Sequence, residues 1–382
     1  MKETVRGLYH RAKRPLAALI AVAGGVVLAL EISLLWYSFA ATPHPETDGA
    51  YIWHQAERIR QDVRVYASIP DYGPHFMTNG SYGWMQYPMD HNPHLPLLAS
   101  ITALLPRVDL AHFQRGLSVL LALAVLGLAV VQSKLSGRIS LIAVLAWLVV
   151  LHASPDAFTA VRLRNPDPFL WLLFASAVAF KPFRGAGLAV MATIKPHAIW
   201  PLAFVLFREP AQWRSALAGG GVAAAIIVAA MGPVDLLTEA VAWVREVAPD
   251  MSQGTFNSLN VSLSFGVLRI AYEAGWWTYE SGPITALWPR VWLAVAQIGT
   301  PIAVGIAARK LDVRWQISWV MLAALLASPL CWTYYLTVGW VPVALWIARR
   351  RPYLEPILES HDHPNRTSSA RSWSMGRTST RT

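Results

Sequence analysis

Apolar runs of bilayer length constrain this chain more than any other feature: one fills residues 16–40, and comparable runs recur as far as residue 348. A hydrocarbon core about 30 Å thick takes roughly 20 helical residues to cross, and long apolar runs suit little else. Lipid offers backbone groups no partner, so a crossing segment must satisfy itself as a helix or within a closed barrel. The alternating ten-residue pattern of barrel strands is absent, which leaves helices. With 55% hydrophobic and only 14% charged residues, the chain does not have the composition of an ordinary soluble domain. Its net charge of +10 is distributed among short loops between apolar runs. That placement reads as a topology signal, and no nucleic-acid partner is expected. The single cysteine, Cys331, excludes an intramolecular disulfide framework and a multi-cysteine metal site.

The cations order the spans. Lys2, Arg6, Arg11, Lys13 and Arg14 hold the start of the chain in the cytoplasm. The run that follows is long for a signal core and reads as an uncleaved first span, with Glu31 inside it. Further spans are expected over residues 113–132, 138–152, 167–180, 215–232, 285–308, 315–329 and 333–348. Residues 185–207 are flanked by cations at both ends, Arg184 before and Arg208 and Arg214 after, and are interrupted by Ile194-Lys195-Pro196-His197. We read this segment as a hairpin of two short helices with Lys195 near its tip, tolerable only if the tip is buried in protein or lines a cavity. The alternative, one span kinked at Pro196, would reverse every later orientation and put Arg349, Arg350 and Arg351 outside.

Two loops, 41–95 and 234–284, then lie outside the cytoplasm. In the first, Ile52, Ala56, Ile59, Val63 and Tyr66 recur at helical spacing; in the second, Val234, Leu237, Val241, Val244 and Val247 do the same. Both patterns describe helices lying along the membrane interface. The expected fold is therefore all-α: a polytopic membrane bundle of about eight full spans, a short-helix hairpin and interfacial amphipathic helices. It occupies residues 1–350, followed by a disordered cytoplasmic tail, 351–382, rich in Ser, Arg and Thr. Both termini are cytoplasmic, in the plasma (inner) membrane.

The sequence contains no phosphate-binding glycine loop, no Ser-His-Asp set and no convincing metal spacing; Asp90 with His91 and His94 is a weak metal signal. Instead it offers an external acid, Asp48, at the start of an interfacial helical pattern, and external cations. Asp48 reads either as a helix N-cap or as a catalytic base. Arg162 and Arg164 stand outside against the positive-inside tendency, either to bind an anion or to reach lipid headgroups. An external acid with external cations suits transfer from a lipid-linked phosphate donor. Its leaving group is already anionic and needs positive charge, while the acceptor hydroxyl needs a base.

Several local motifs, in order, carry a resemblance: Asp48-Gly49-Ala50-Tyr51, Met85-Gln86-Tyr87-Pro88, Ile194-Lys195-Pro196-His197, Phe256-Asn257-Ser258-Leu259 and Ser328-Pro329-Leu330-Cys331-Trp332. The chain resembles glycosyltransferase family 87, the polyprenol-phosphate-mannose-dependent mannosyltransferases of the GT-C superfamily. The resemblance implies a GT-C-like fold and an inverting, metal-free transfer without a cofactor. The donor would be a polyprenyl-phosphate-linked sugar, mannose above all, and the acceptor an extracytoplasmic glycolipid or glycan. It implies Asp48 as base and places Tyr51, Tyr87, Asp90, Arg162, Arg164, Lys195, His197, Asn257, Ser258 and Trp332 among the substrate-binding candidates. Where the family carries histidines after the tryptophan, this chain has Tyr334 and Tyr335, which are poor bases at neutral pH. They join the substrate-binding set. A membrane transporter or lipid flippase with its site at the Lys195 break is the alternative function.

Overall fold

Every regular element among the described residues is helical. The computed structural model describes residues 15–30, 32–33, 48–63, 65, 96–153, 160, 164–247, 261–278, 284, 286–328, 331 and 333–359, without side chains at 48, 246–247, 333–334 and 351–359. The helices are α1 (Pro15–Leu30), α2 (Asp48–Arg60), α3 (Leu97–Leu104), α4 (Leu110–Leu135), α5 (Leu141–Ala153), α6 (Asp167–Ala179), α7 (Arg184–Ala192) and α8 (Ile199–Arg208). After them come α9 (Gln212–Met231), α10 (Pro233–Ala242), α11 (Leu263–Glu273), α12 (Leu287–Ala307), α13 (Val313–Ala327) and α14 (Trp340–Glu359). Short 3₁₀ turns at Lys181–Phe183, Pro196–Ala198, Ala308–Lys310 and Thr333–Gly339 join some of them.

The cation-bearing loops gather at one end of the bundle. Arg184, at the start of α7, is buried and donates to Glu209 Oε2 (2.6 Å), just past the end of α8, and to Ala177 O at the end of α6 (3.2 Å). Arg208 donates to Arg309 O (2.6 Å) and Gln316 Oε1 (3.0 Å), while Lys134 Nζ lies 3.9 Å from the centre of the Phe180 ring. The two roots of the α7–α8 segment therefore touch, so the segment goes in and comes back. The expected hairpin is present, and the kinked single span is ruled out.

Small residues let the first arm of this hairpin lie directly on α9. A β-carbon at Gly219 would meet Ala186 Cα at 2.6 Å, and one at Gly185 would meet Gln212 O at 2.6 Å. Packing between apolar helices in lipid depends on such close backbone approach, because lipid tails are as apolar as the side chains. Gln212 completes the joint, its Oε1 accepting from Gly185 N (3.0 Å) and its Nε2 donating to Lys181 O (2.9 Å). The main core lies between α4, α6, the hairpin and α13, with Leu121, Leu128, Phe174, Leu188 and Ile317 fully enclosed.

The spans are shorter than the expected set. Three helices among the described residues, α4, α9 and α12 with its 3₁₀ extension, have the length and apolarity to cross a membrane; α1, α5, α6 and α13 are apolar but run 10–17 residues. The physical reason is clearest in α6, where Pro166 and Pro168 fix the start at Asp167 and the backbone turns at Phe180 before Pro182. At 1.5 Å per residue its 13 residues extend about 20 Å, short of the ~30 Å apolar core. The last helix, in contrast, runs past Arg349–Arg351 to Glu359. Residues 360–382 lie outside the described residues.

At the opposite end, α2 and α3 pack together against α4 and α9. The expectation of one apolar stripe on α2 is corrected: Gly49, Ala50, Tyr51, Ile52, Gln55, Ala56, Glu57 and Ile59 are all buried. The buried face is wider than the expected stripe, and protein encloses most of the helix. Arg60 fixes its far end by donating to Thr102 O (2.6 Å), Ala103 O (3.2 Å) and Leu105 O (3.0 Å), the carbonyls closing α3, and to Glu57 Oε1 (2.5 Å). Glu57 Oε2 in turn meets Arg107 at 2.6 Å. The other expected interfacial helix fits its pattern. Val234, Leu237, Val241 and Val244 form an exposed stripe along α10 and the turn after it, with Glu239 and Ala242 buried behind.

Candidate active site at the tip of the broken hairpin

Lys195 occupies the break because its neighbours forbid helix there. Pro196 supplies no amide donor and disfavours α geometry in the preceding residue, and Lys195 is accordingly extended, at φ −133° and ψ 120°. Its side chain is turned into protein. Nζ lies 2.8 Å from Asp167 Oδ1, on the first residue of α6, and 3.5 Å from the centre of the Tyr335 ring in the Thr333–Gly339 turn. Asp167 is 1% exposed and Lys195 8%. Such a pair survives the loss of hydration only because opposite charge and an aromatic face replace the water. Tyr335 thus serves as a platform for the ammonium group.

Three residues before Asp167 stands Arg164, whose backbone is in the left-handed region at φ 53°. It is only 6% exposed, so it does not reach out to headgroups. Its Nε has no hydrogen-bond partner, and no described carboxylate pairs with it. Between the two charges Asn165 Oδ1 accepts from Asp167 N (2.9 Å) and helps start α6. The first turn of α2 is pressed onto the same loop: a methyl group at Gly49 would sit 2.9 Å from Leu117 Cδ2 and 3.0 Å from Arg164 Cβ. The backbone of Asp48 is the first position of that helix.

The structure therefore joins Arg164, Lys195, Tyr335 and the helix start carrying Asp48, with Tyr51 buried one turn further along α2. His197 belongs to the same tip, in the 3₁₀ turn after Lys195, with a buried Nδ1 that has no hydrogen-bond partner. Tyr87, Asp90, Arg162, Asn257, Ser258 and Trp332 lie outside the described residues, as does Glu31; Tyr334 is described only as part of its 3₁₀ turn. Asp90, His91 and His94 lie outside as well, and no group of three or more metal-ligating side chains occurs among the described residues. Sequence reasoning missed Asp167. The usable signal was an acid between Pro166 and Pro168 at the mouth of an apolar run, because an acid there has to find a buried cation.

Among the described residues, one buried carboxylate, Asp167, is paired with Lys195, and a second buried cation, Arg164, stands on the same loop. A buried guanidinium in such a place suits an anionic ligand.

The family model for glycosyltransferase family 87 matches residues 91–329. The chain belongs to glycosyltransferase family 87. The matched segment contains Arg164, Asp167, Lys195 and His197 and begins after Asp48. No curated protein and no solved structure matches the chain. Membership, together with the apolar helices, makes this family 87 chain a membrane glycosyltransferase, which sets aside the transporter alternative.

Proposed function

We propose that the protein transfers a sugar, mannose first among candidates, from a polyprenyl-phosphate donor to an extracytoplasmic glycolipid or glycan. The fold would be of the GT-C kind, in the plasma (inner) membrane, with both termini cytoplasmic. The observation that carries the reading is Arg164: a buried arginine with no ion-pair partner among the described residues, its side-chain stem against the first turn of the helix that begins at Asp48. A phosphate beside it would supply the missing negative charge, and a fixed cation there favours the charge that builds up on the departing oxygen.

In this scheme Asp48 accepts the proton of the acceptor hydroxyl as its oxygen attacks the anomeric carbon. The bond from that carbon to the phosphate oxygen breaks, polyprenyl phosphate leaves with the bonding pair, and the anomeric configuration inverts. Arg164 and Lys195 stabilise the leaving phosphate. No resident metal or cofactor enters the scheme. The partners are the bilayer, the lipid-linked donor and the acceptor.

The test supplies purified protein with a panel of polyprenyl-phosphate sugars and membrane glycolipid extracts, comparing the natural chain with Asp48→Asn. Loss of a general base typically costs about 100- to 10,000-fold in rate. The variant is therefore expected to bind donor but transfer almost nothing. Undiminished transfer by a well-folded Asp48→Asn protein sinks the base assignment, and no transfer by the natural chain with any donor sinks the donor class.

A further inference from the structure

Besides Lys195 Nζ and Asp167 Oδ1, which answer one another as an ion pair, three buried polar atoms around the hairpin tip have no hydrogen-bond partner: Arg164 Nε, Asp167 Oδ2 and His197 Nδ1. They flank the Lys195–Asp167 pair, which uses Asp167 Oδ1 at 2.8 Å. Buried polar groups in native proteins are almost always satisfied, and a charged oxygen left bare is especially costly. Several such atoms around one ion pair therefore mark a place that a ligand completes.

The types of atom define that ligand. The guanidinium of Arg164 calls for an anion. Asp167 is the opposite case, since Lys195 already answers its charge on one side. What its second oxygen lacks is a neutral hydrogen-bond donor. A second cation is not the required partner, because Lys195 already balances the charge of this carboxylate. A hydroxyl group is neutral, donates well and binds a carboxylate oxygen strongly. Arg164 and Asp167 stand three residues apart on one loop whose geometry Asn165 fixes. A glycosyl phosphate carries a phosphate and hydroxyl groups close together and offers each of the two groups its partner.

We propose that Asp167 is a specificity-determining residue that accepts a hydrogen bond from a ring hydroxyl of the donor sugar, while its other oxygen holds Lys195. The assignment rests on the glycosyltransferase reading given above. It makes the hairpin tip a two-part reader, with Arg164 on the phosphate side and Asp167 on the sugar side. Lys195, seated on the Tyr335 ring, links the two parts, holding the carboxylate and adding its charge on the phosphate side.

The experiment compares the natural chain, Asp167→Asn and Asp167→Glu on polyprenyl-phosphate mannose and its four monodeoxy analogues at positions 2, 3, 4 and 6. A hydrogen bond to a charged group corresponds to about 10- to 100-fold. The natural chain should lose that factor in kcat/KM for one or two of the deoxy donors. Asp167→Asn should lose a comparable factor on the full donor and no longer distinguish those same analogues, while its preferences at the remaining positions persist. Asp167→Glu keeps the charge beside Lys195 and displaces the carboxylate, so it should fold even where Asp167→Asn does not. It is expected to alter discrimination at the same hydroxyl alone. If the natural chain and a folded variant discriminate all four analogues equally, the hydroxyl assignment is overturned and Asp167 serves Lys195 only. If the natural chain uses no polyprenyl-phosphate sugar at all, the donor reading falls and this inference falls with it.

Discussion

Arg164 occupies a position that stability alone would not select. Left-handed backbone is unfavourable for a side chain with a β-carbon, at about 1–3 kcal/mol, and a buried charge with no ion-pair partner among the described residues costs more again. Asparagine tolerates that backbone region far better and carries no charge. Arg164→Asn should therefore melt at a temperature at least as high as the natural chain, while the donor KM rises tenfold or more. Thermal unfolding in detergent and initial rates at varied donor concentration read the two effects separately. A clear fall in melting temperature with unchanged KM would show that the guanidinium is structural. The sequence marks Arg164 as a cation on the wrong side of the membrane, but exposure and partnership are tertiary facts, and one residue's charge cannot reveal them. Asp167 was hidden for a related reason. Its partner Lys195 lies 28 positions further along (195 − 167), beyond any local pattern, and meets it only because the hairpin returns.

At the scale of elements, the hairpin depends on its roots. Arg184 joins the end of α6, the start of α7 and the loop after α8 through Glu209, Ala177 O and the Val178 O nearby. Its side chain is 4% exposed and that of Glu209 19%, so the pair is largely shielded from water. Removing one partner from a buried ion pair typically costs about 3–5 kcal/mol, because the other is left bare. Arg184→Ala should lower stability by this order, and the double variant Arg184→Leu/Glu209→Leu should recover much of the loss. Equilibrium unfolding or the melting temperature checks both. A double variant no better than the single one would mean that the carbonyl contacts, rather than the charges, hold the joint. The hairpin itself was legible in the sequence, since cations at both ends of a run too short for two full spans leave few alternatives. The enclosure of α2 was not. Its stripe of apolar residues is what an interfacial helix would show, and its buried Glu57 becomes intelligible only beside Arg60 and Arg107.

For the whole molecule, the arrangement separates into a basic end and a site-bearing end. Lys134, Arg184, Arg208 and Arg309 belong to loops tied together at the first. The start of α2, the α2–α3 joint and the hairpin tip face away from them. In the proposed orientation, the positive-inside tendency puts the basic end in the cytoplasm and the proposed donor on the other side. This matters to the chemistry, because nucleotide sugars are generally confined to the cytoplasm and a lipid-linked donor is what remains outside. The native Cys331 is fully buried, so it provides a silent background for labelling. A cysteine at Ile139, 61% exposed beside the basic end, should resist a membrane-impermeant maleimide in intact cells and react in inverted vesicles. A cysteine at Gln61, exposed just past α2, should do the reverse. Both positions lie outside the packed core and outside the site, so transfer activity should persist in each variant. Labelling of both from the same side would contradict the two-ended arrangement. Exchange of the two patterns would keep the arrangement but put the site in the cytoplasm, where the case for a polyprenyl-phosphate donor over a nucleotide sugar disappears.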